Sequence, residues 1–233
     1  MANVQRFERR EYKYLVPAHV AEGIRRAARI NCSIDNFAGP EGTYRIRSLY
    51  LDTTGKDLYW ANEREQSHRF KARIRSYPGT GASPVFLEIK GRAMDVIVKD
   101  RIKVPRATWD EVTAGMYPRW SLIEGGQHFL RRVIAHHLEP VCLVEYEREA
   151  YVSHTEAYGR LTLDSYIGCQ PMDKWCLEAD PNGGRLIDNM ERTWTESASY
   201  VLELKFENMA PRWMVNLVQR FDLMRYSFSK YCY

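Results

Sequence analysis

The stretch His68-Arg69-Phe70-Lys71-Ala72-Arg73-Ile74-Arg75-Ser76-Tyr77 alternates cation and apolar residue from Arg69 to Arg75. Successive side chains of a β-strand point to opposite faces, so a strand here sets Arg69, Lys71, Arg73 and Arg75 on one face and Phe70, Ala72 and Ile74 on the other. The split recurs on either side. Val96 to Val104 places Lys99, Arg101 and Lys103 against Val98, Ile102 and Val104, and Val85 to Gly91 places Glu88 and Lys90 against Leu87 and Ile89. Tyr200 to Glu207 aligns Glu203 and Lys205, Arg160 to Ile167 aligns Arg160, Thr162 and Asp164, and Glu11 and Lys13 share a face of Phe7 to Val16. With Tyr44 to Asp52 and Val141 to Val152 these make eight strands, enough to close a barrel.

Helical patterns are fewer. A proline at the first turn, Pro17, opens a helix over His19 to Ile30, and Thr108 is placed to cap one that runs to Met116. Apolar stripes predict helices over Gly125 to His137 and Pro211 to Tyr226. Asp35 to Gly42, Pro78 to Pro84 and Asp180 to Gly184 read as loops, and Gly168 to Ser199 as a long loop or small insertion. The expectation is an α+β, mainly β, single domain over 1–233: a closed eight-stranded antiparallel β-barrel with helices packed outside.

The 233 residues are 45% hydrophobic and 27% charged, as in a globular protein. No apolar run approaches the roughly 20 residues that span a bilayer, and the charged start lacks a secretory signal, so no membrane insertion and a cytoplasmic location are expected. Cys32, Cys142, Cys169, Cys176 and Cys232 contain no C-x-x-C pair and read as reduced thiols rather than a disulfide framework or zinc site. His128, His136 and His137 have no ligand partner at metal spacing. There is no phosphate-binding G-x-x-x-x-G-K-[ST] loop, and Gly79-Thr80-Gly81 reads as a hairpin. The net charge of +4 alone selects no partner.

Distribution of charge is more telling. A solvated outer face explains any one cationic strand. Cations adjacent on several strands repel one another unless acids or a bound anion offset them, which points to a polyanion. A phosphate chain is slender enough for a small barrel and suits Arg and Lys donors. Single-stranded nucleic acid is the competing polyanion, but its groove has little use for Glu11, Glu88, Asp164 and Glu203 on the cationic faces, so no nucleic acid partner is expected. A metal site needs carboxylates there.

The residues in sequence order resemble a known family. Arg9-x-Glu11-x-Lys13-Tyr14, Tyr44-Arg45-Ile46-Arg47-Ser48-Leu49-Tyr50-Leu51-Asp52-Thr53, Arg73-Ile74-Arg75-Ser76-Tyr77, Leu87-Glu88-Ile89-Lys90, Lys99-x-Arg101, Tyr146-x-Arg148-x-Ala150-Tyr151, Arg160-Leu161-Thr162-Leu163-Asp164, Leu202-Glu203-Leu204-Lys205-Phe206 and Ser229-Lys230-Tyr231 together resemble the VTC polyphosphate polymerase domain of the triphosphate tunnel metalloenzymes. The resemblance spans nearly the whole chain. It implies a triphosphate tunnel fold in which Arg73, Arg75, Lys90, Arg148, Arg160 and Lys230 act on the phosphates, with Lys13, Arg47, Lys99, Arg101, Lys205 and Ser229 as further phosphate contacts. It implies Glu203 as ligand of Mn²⁺ or Mg²⁺, with Glu11 and Glu88 as further metal candidates.

Arg9 stands where the hydrolytic CYTH branch carries the first acid of Glu-x-Glu-x-Lys, which favours the polymerase branch. The implied partners are a nucleoside triphosphate and polyphosphate, the implied reaction transfer of the terminal phosphoryl group to a growing chain. A metal-dependent triphosphatase and a non-catalytic polyphosphate sensor are the alternatives. Membrane complexes formed by eukaryotic relatives are not implied for this chain, and its oligomeric state is open.

Overall fold

The structure, a computed structural model, describes residues 9–39, 41–79, 83–94, 96–180, 183–186, 199–226 and 228–231. Its strands are β1 (Arg9–Pro17), β2 (Cys32–Ile34), β3 (Thr43–Asp52), β4 (His68–Ser76), β5 (Val85–Ala93), β6 (Val96–Val104), β7 (Glu139–Ser153), β8 (Arg160–Pro171), β9 (Arg185–Leu186) and β10 (Ser199–Glu207). Its helices are α1 (Ala18–Asn31), α2 (Asp57–Glu63), α3 (Arg106–Val112), α4 (Gln127–Ala135) and α5 (Arg212–Arg220). Among these residues no helix is long and apolar enough to cross a membrane.

All eight expected strands are present. Residues 7–8 of the first expected strand, 181–182 of the last expected loop and 187–198 of the expected insertion lie outside the described residues. Hydrogen bonding follows the order β1, β10, β8, β7, β3, β4, β5, β6, with β2 on β7 and β9 on β8. The closed barrel is corrected by this order: among the described residues β1 and β6 end it, and the sheet does not close. Period-two alternation reveals which residues share a face, whereas closure depends on strand tilt and stagger, which leave no mark in that pattern.

The chain forms two compact units. The first comprises the described parts of Met1–Tyr44, Glu147–Ile167 and Ile187–Phe228. Its core joins Val16, Leu161, Leu163, Leu202, Leu204 and Phe206 of the strands to Ala21, Ile24 and Ala28 of α1 and Met214 and Leu217 of α5. Gly23 lies against the Phe221 ring so closely that an added Cβ would stand 2.7 Å from it, so a larger residue there would have to displace the ring where α1 meets the end of α5. The second unit comprises Arg45–Tyr146, Gly168–Leu186 and the described part of Ser229–Tyr233. Leu49, Leu51, Ala72, Ile74, Leu87 and Ile89 form its sheet side, covered by Trp109, Val112, Phe129 and Val133 of α3 and α4.

Helix limits differ from expectation for local reasons. α3 starts at Arg106, directly after Pro105, rather than at a Thr108 cap. α5 ends at Arg220, and Asp222 two residues on is left-handed at φ 47°. α2 was not expected. It buries only Leu58, too little for a helical stripe, and its first turn is held by Asp52, whose carboxylate accepts from the backbone N–H of Leu58 and Tyr59, each at 2.8 Å.

Candidate functional site

In the second unit the registers β3/β4/β5/β6 place the predicted cations in rows. Tyr50, Arg73, Glu88 and Arg101 lie directly opposite one another, as do Ser48, Arg75, Phe86 and Lys103, and likewise Lys71, Lys90 and Lys99. Glu88, 2% exposed, is the acid around which the guanidiniums gather. Arg73 donates to it from Nε at 2.7 Å, Arg101 Nε lies 3.1 Å from its other oxygen, and Arg75 Nε is 3.9 Å away. Burial raises the Glu88 carboxyl, but Arg73 and Arg75 outweigh it and hold the group down at about 2. Burial works to lower Arg73, while Tyr50, Glu88 and Tyr146 raise it above the ordinary arginine value, so it is cationic at every working pH.

Neutral groups fix the remaining edges of these arginines. Tyr50 Oη accepts from Arg73 Nη1 at 3.2 Å, Ser48 Oγ from Arg75 Nε at 3.4 Å and Tyr146 Oη from Arg75 Nη2 at 3.5 Å. Arg101 covers the Phe86 ring at 3.7 Å and donates to Tyr77 Oη. The segment 229–231 joins the group: Ser229 Oγ accepts from Lys71 Nζ at 2.6 Å, Lys230 Nζ lies 4.7 Å over the Tyr146 ring, and Tyr231 stacks on Tyr50 while its hydroxyl donates to Asp52. Guanidiniums held this way are pre-organised donors for a multiply charged oxyanion.

The first unit carries a different pattern. Across β1 and β10, Glu11 faces Lys205 and Lys13 faces Glu203; across β10 and β8, Glu203 faces Thr162 and Lys205 faces Arg160. Glu203 accepts from Lys205 Nζ at 2.8 Å and from Arg148 Nη2 at 3.3 Å, with Lys13 Nζ at 3.7 Å. Lys13 also lies 3.4 Å from Glu11 and donates to the Phe228 carbonyl. Arg148 grips the fully buried Asp164 through Nε at 2.6 Å and Nη2 at 2.7 Å. Apart from Lys205 opposite Arg160, charged residues across these strands are of opposite sign and mutually stabilising, so this lattice is closer to balance than the cation-rich second unit.

Mg²⁺ and Mn²⁺ favour oxygen ligands. Glu203 and Glu11 contact the same two lysines, and the Thr162 hydroxyl oxygen, next to Glu203 in register, is buried without a hydrogen-bond partner. This oxygen donor set fits such an ion. No group of three or more His, Cys, Asp or Glu is placed to hold a metal among the described residues. Protein ligands would therefore be few, as is usual where Mg²⁺ retains water and phosphate oxygens.

Most of the predicted residues are thus gathered into two clusters: Arg73, Arg75, Lys90, Lys99, Arg101, Glu88, Ser229 and Lys230 in the second unit, and Lys13, Arg148, Arg160, Lys205, Glu11 and Glu203 in the first. Glu88 stands among arginines and belongs to a different unit from the other two metal candidates. Arg47 is not brought to Arg73 and Arg75. Its side chain pairs with Glu145 and, at 2.7 Å, with Glu178, because the β3 residues that neighbour Arg75 and Arg73 are the alternate ones, Ser48 and Tyr50. Ser48, Tyr50, Tyr146 and Tyr231 are not among the expected residues: Ser48 and Tyr50 lie in register with Arg75 and Arg73, but a neutral hydroxyl leaves no charge pattern in the sequence.

Arginines gathered around a buried acid, beside a second cluster that carries carboxylates, present donors of the kind that suit anionic ligands. The sequence matches the VTC domain over residues 8–233, and the chain belongs to that family. Its fold is similar to that of a protein from Bacillus halodurans described as a candidate adenylate cyclase, with a TM-score of 0.55, 14% identity, and coverage of 94% of this chain and 92% of that one. A protein from Pyrococcus horikoshii aligns with a TM-score of 0.49 at 12% identity over 96% and 93% of the two chains. A further candidate adenylate cyclase, from Vibrio parahaemolyticus, aligns at 0.48 and 14% identity over 95% and 94%. No curated protein sequence matches the chain.

Proposed function

We propose that this chain is a polyphosphate polymerase that transfers the terminal phosphoryl group of a nucleoside triphosphate to a growing polyphosphate chain. The observation that carries the reading is the gathering of Arg73, Arg75 and Arg101 around the buried Glu88 carboxylate in a member of the VTC domain family.

Phosphoryl transfer requires in-line positioning and neutralisation of charge more than covalent help from the protein. Arg73 and Arg75, fixed by Glu88, Tyr50, Ser48 and Tyr146, and Arg101, fixed by Glu88, Phe86 and Tyr77, supply oriented donors to phosphate oxygens; Lys90, Lys99 and Lys230 add charge as compact ammonium groups. The acceptor is the end of a phosphate chain, already anionic, so no residue has to remove a proton. Glu203 and Glu11, with the Thr162 hydroxyl, are the residues that would hold a divalent ion. Such an ion, when bound, offsets charge on phosphate oxygens. Arg148 and Lys205 orient the Glu203 carboxylate, and Arg160 and Lys13 add cations on the same strands.

The test is to incubate the protein with ATP and Mn²⁺, with and without a short polyphosphate primer, and to resolve long polyphosphate from free phosphate on a gel. A ladder of polymer with matching ADP supports the polymerase. Free phosphate alone replaces it with a triphosphatase, and tight metal-independent binding without turnover replaces it with a sensor.

A further inference from the structure

We propose that Trp60, at the exposed end of a run of aromatic rings that begins beside Arg73, takes the base of the nucleoside triphosphate by stacking. The proposal rests on the phosphate-binding reading above and adds to it a site for the organic half of the substrate.

The run is continuous within the second unit. Tyr50 accepts from Arg73 Nη1, and the Arg73 guanidinium lies 6.0 Å over its ring. That ring stacks on Tyr231 at 4.9 Å and 17°. Tyr231 meets Tyr59 edge-on at 6.0 Å, and Tyr59 meets Trp60 edge-on at 5.0 Å. Each step is an ordinary aromatic pair. The last ring differs from the others: Trp60 is 47% exposed, and the Arg64 guanidinium lies 5.4 Å over it. Nucleobases stack on indole faces and on guanidinium planes.

The alternation along β3 puts this ring past the arginines. Ser48 lies opposite Arg75 and Tyr50 opposite Arg73. Asp52 comes next in that alternation, fully buried, and its carboxylate accepts from the backbone N–H of Leu58 and Tyr59. Helix α2 is thereby fastened where the strand ends, so a substrate whose phosphates run along Arg75 and Arg73 meets α2 with its next part. Residues 56–64 carry two cations, Lys56 and Arg64, against two acids, Asp57 and Glu63. This end of the row does not extend the cationic surface and suits an uncharged group better than further phosphate. The helix has seven residues and buries only Leu58, yet it is held firmly. Thr53 Oγ1 accepts from the Asp57 backbone N–H at 3.0 Å, and Asn62 Nδ2 donates to the Phe70 carbonyl at 3.1 Å. A platform fixed in advance loses little freedom when a base stacks on it.

Tripolyphosphate has no base, so comparing it with ATP isolates the contribution of Trp60. Calorimetry at fixed ionic strength measures the affinity of the full chain for both ligands in the wild type, Trp60→Ala, Trp60→Phe and Arg73→Gln. The ratio of ATP to tripolyphosphate affinity is expected to fall about tenfold in Trp60→Ala and to stay closer to wild type in Trp60→Phe, which keeps an aromatic face. A ring that only packs against Tyr59 would move both affinities together, so an unchanged ratio in folded Trp60→Ala overturns the base site. Arg73→Gln separates the two failures. If it leaves tripolyphosphate binding intact, the phosphate reading is at fault; if it weakens that binding while the ratio in Trp60→Ala holds at the wild-type value, only the base site is lost.

Discussion

Oε2 of Glu88 lies 2.7 Å from both Nε and Nη2 of Arg73, so one oxygen receives both prongs of a guanidinium fork. This buried carboxyl titrates at about 2 rather than its ordinary 4.5. A depressed folded value means that the stabilisation is complete above about pH 4.5 and is lost as the pH falls towards 2, an effect on the order of 3 kcal/mol. Urea unfolding across that window should show wild type losing stability more steeply than Glu88→Gln, which is less stable at neutral pH because its arginines lose their counter-charge. Parallel curves would remove Glu88 as the group responsible.

Arg73→Ala leaves Glu88 with Arg75 and Arg101 as ion partners, so the fold is expected to persist. Phosphate transfer should fall about tenfold or more, as one charge-assisted contact realised in the transition state is worth about 1.5–3 kcal/mol. Arg73→Lys restores the charge without the fork and should recover only part of the loss. Full activity in a folded Arg73→Ala protein refutes its assignment.

Glu203→Gln should weaken Mn²⁺ binding about tenfold or more, read by electron paramagnetic resonance of free Mn²⁺ and independent of turnover. Arg148 keeps its grip on Asp164 in this variant, which guards against collapse of the strand pair. Mn²⁺ affinity equal to wild type in the folded variant moves the ion elsewhere.

Tyr231→Phe keeps the stacking on Tyr50 and removes the hydroxyl that donates to Asp52. Asp52 still accepts from the backbone of Thr53, Leu58 and Tyr59, so the cost to thermal stability should be about 1 kcal/mol. Tripolyphosphate affinity should fall as Ser229 and Lys230 lose their anchor, measured by calorimetry. Affinity unchanged in Tyr231→Ala as well would dissociate the segment from the site.

The strands were legible because strict alternation from Arg69 to Arg75 and from Leu202 to Phe206 admits one reading with a buried face. The shared face of Arg73, Arg75, Lys99 and Arg101 was legible for the same reason, since parity sets the cations of each strand together. Closure was not legible, for tilt and stagger do not alter parity. Arg47 is expected at the phosphates only through the family resemblance, its parity with Leu49 and Leu51 argues against it, and the structure gives it Glu145 and Glu178 as partners. Tyr231 and Asp52 were beyond reach, because their contact joins residues 179 positions apart and neither carries a local pattern.

That separation has a kinetic consequence. Lys71 meets Ser229 across 158 positions and Asp52 meets Tyr231 across 179, whereas β4, β5 and β6 pair through short connections. Contacts that close long loops are entropically disfavoured until local structure has formed, so we expect the 229–231 segment to dock after the strands that receive it, and pulse-labelled hydrogen exchange should find its amides protected last. Its release as a local opening would then withdraw Lys230 while β4 and β5 keep their ladder bonds, leaving a folded sheet whose proposed phosphate site lacks one of its cations.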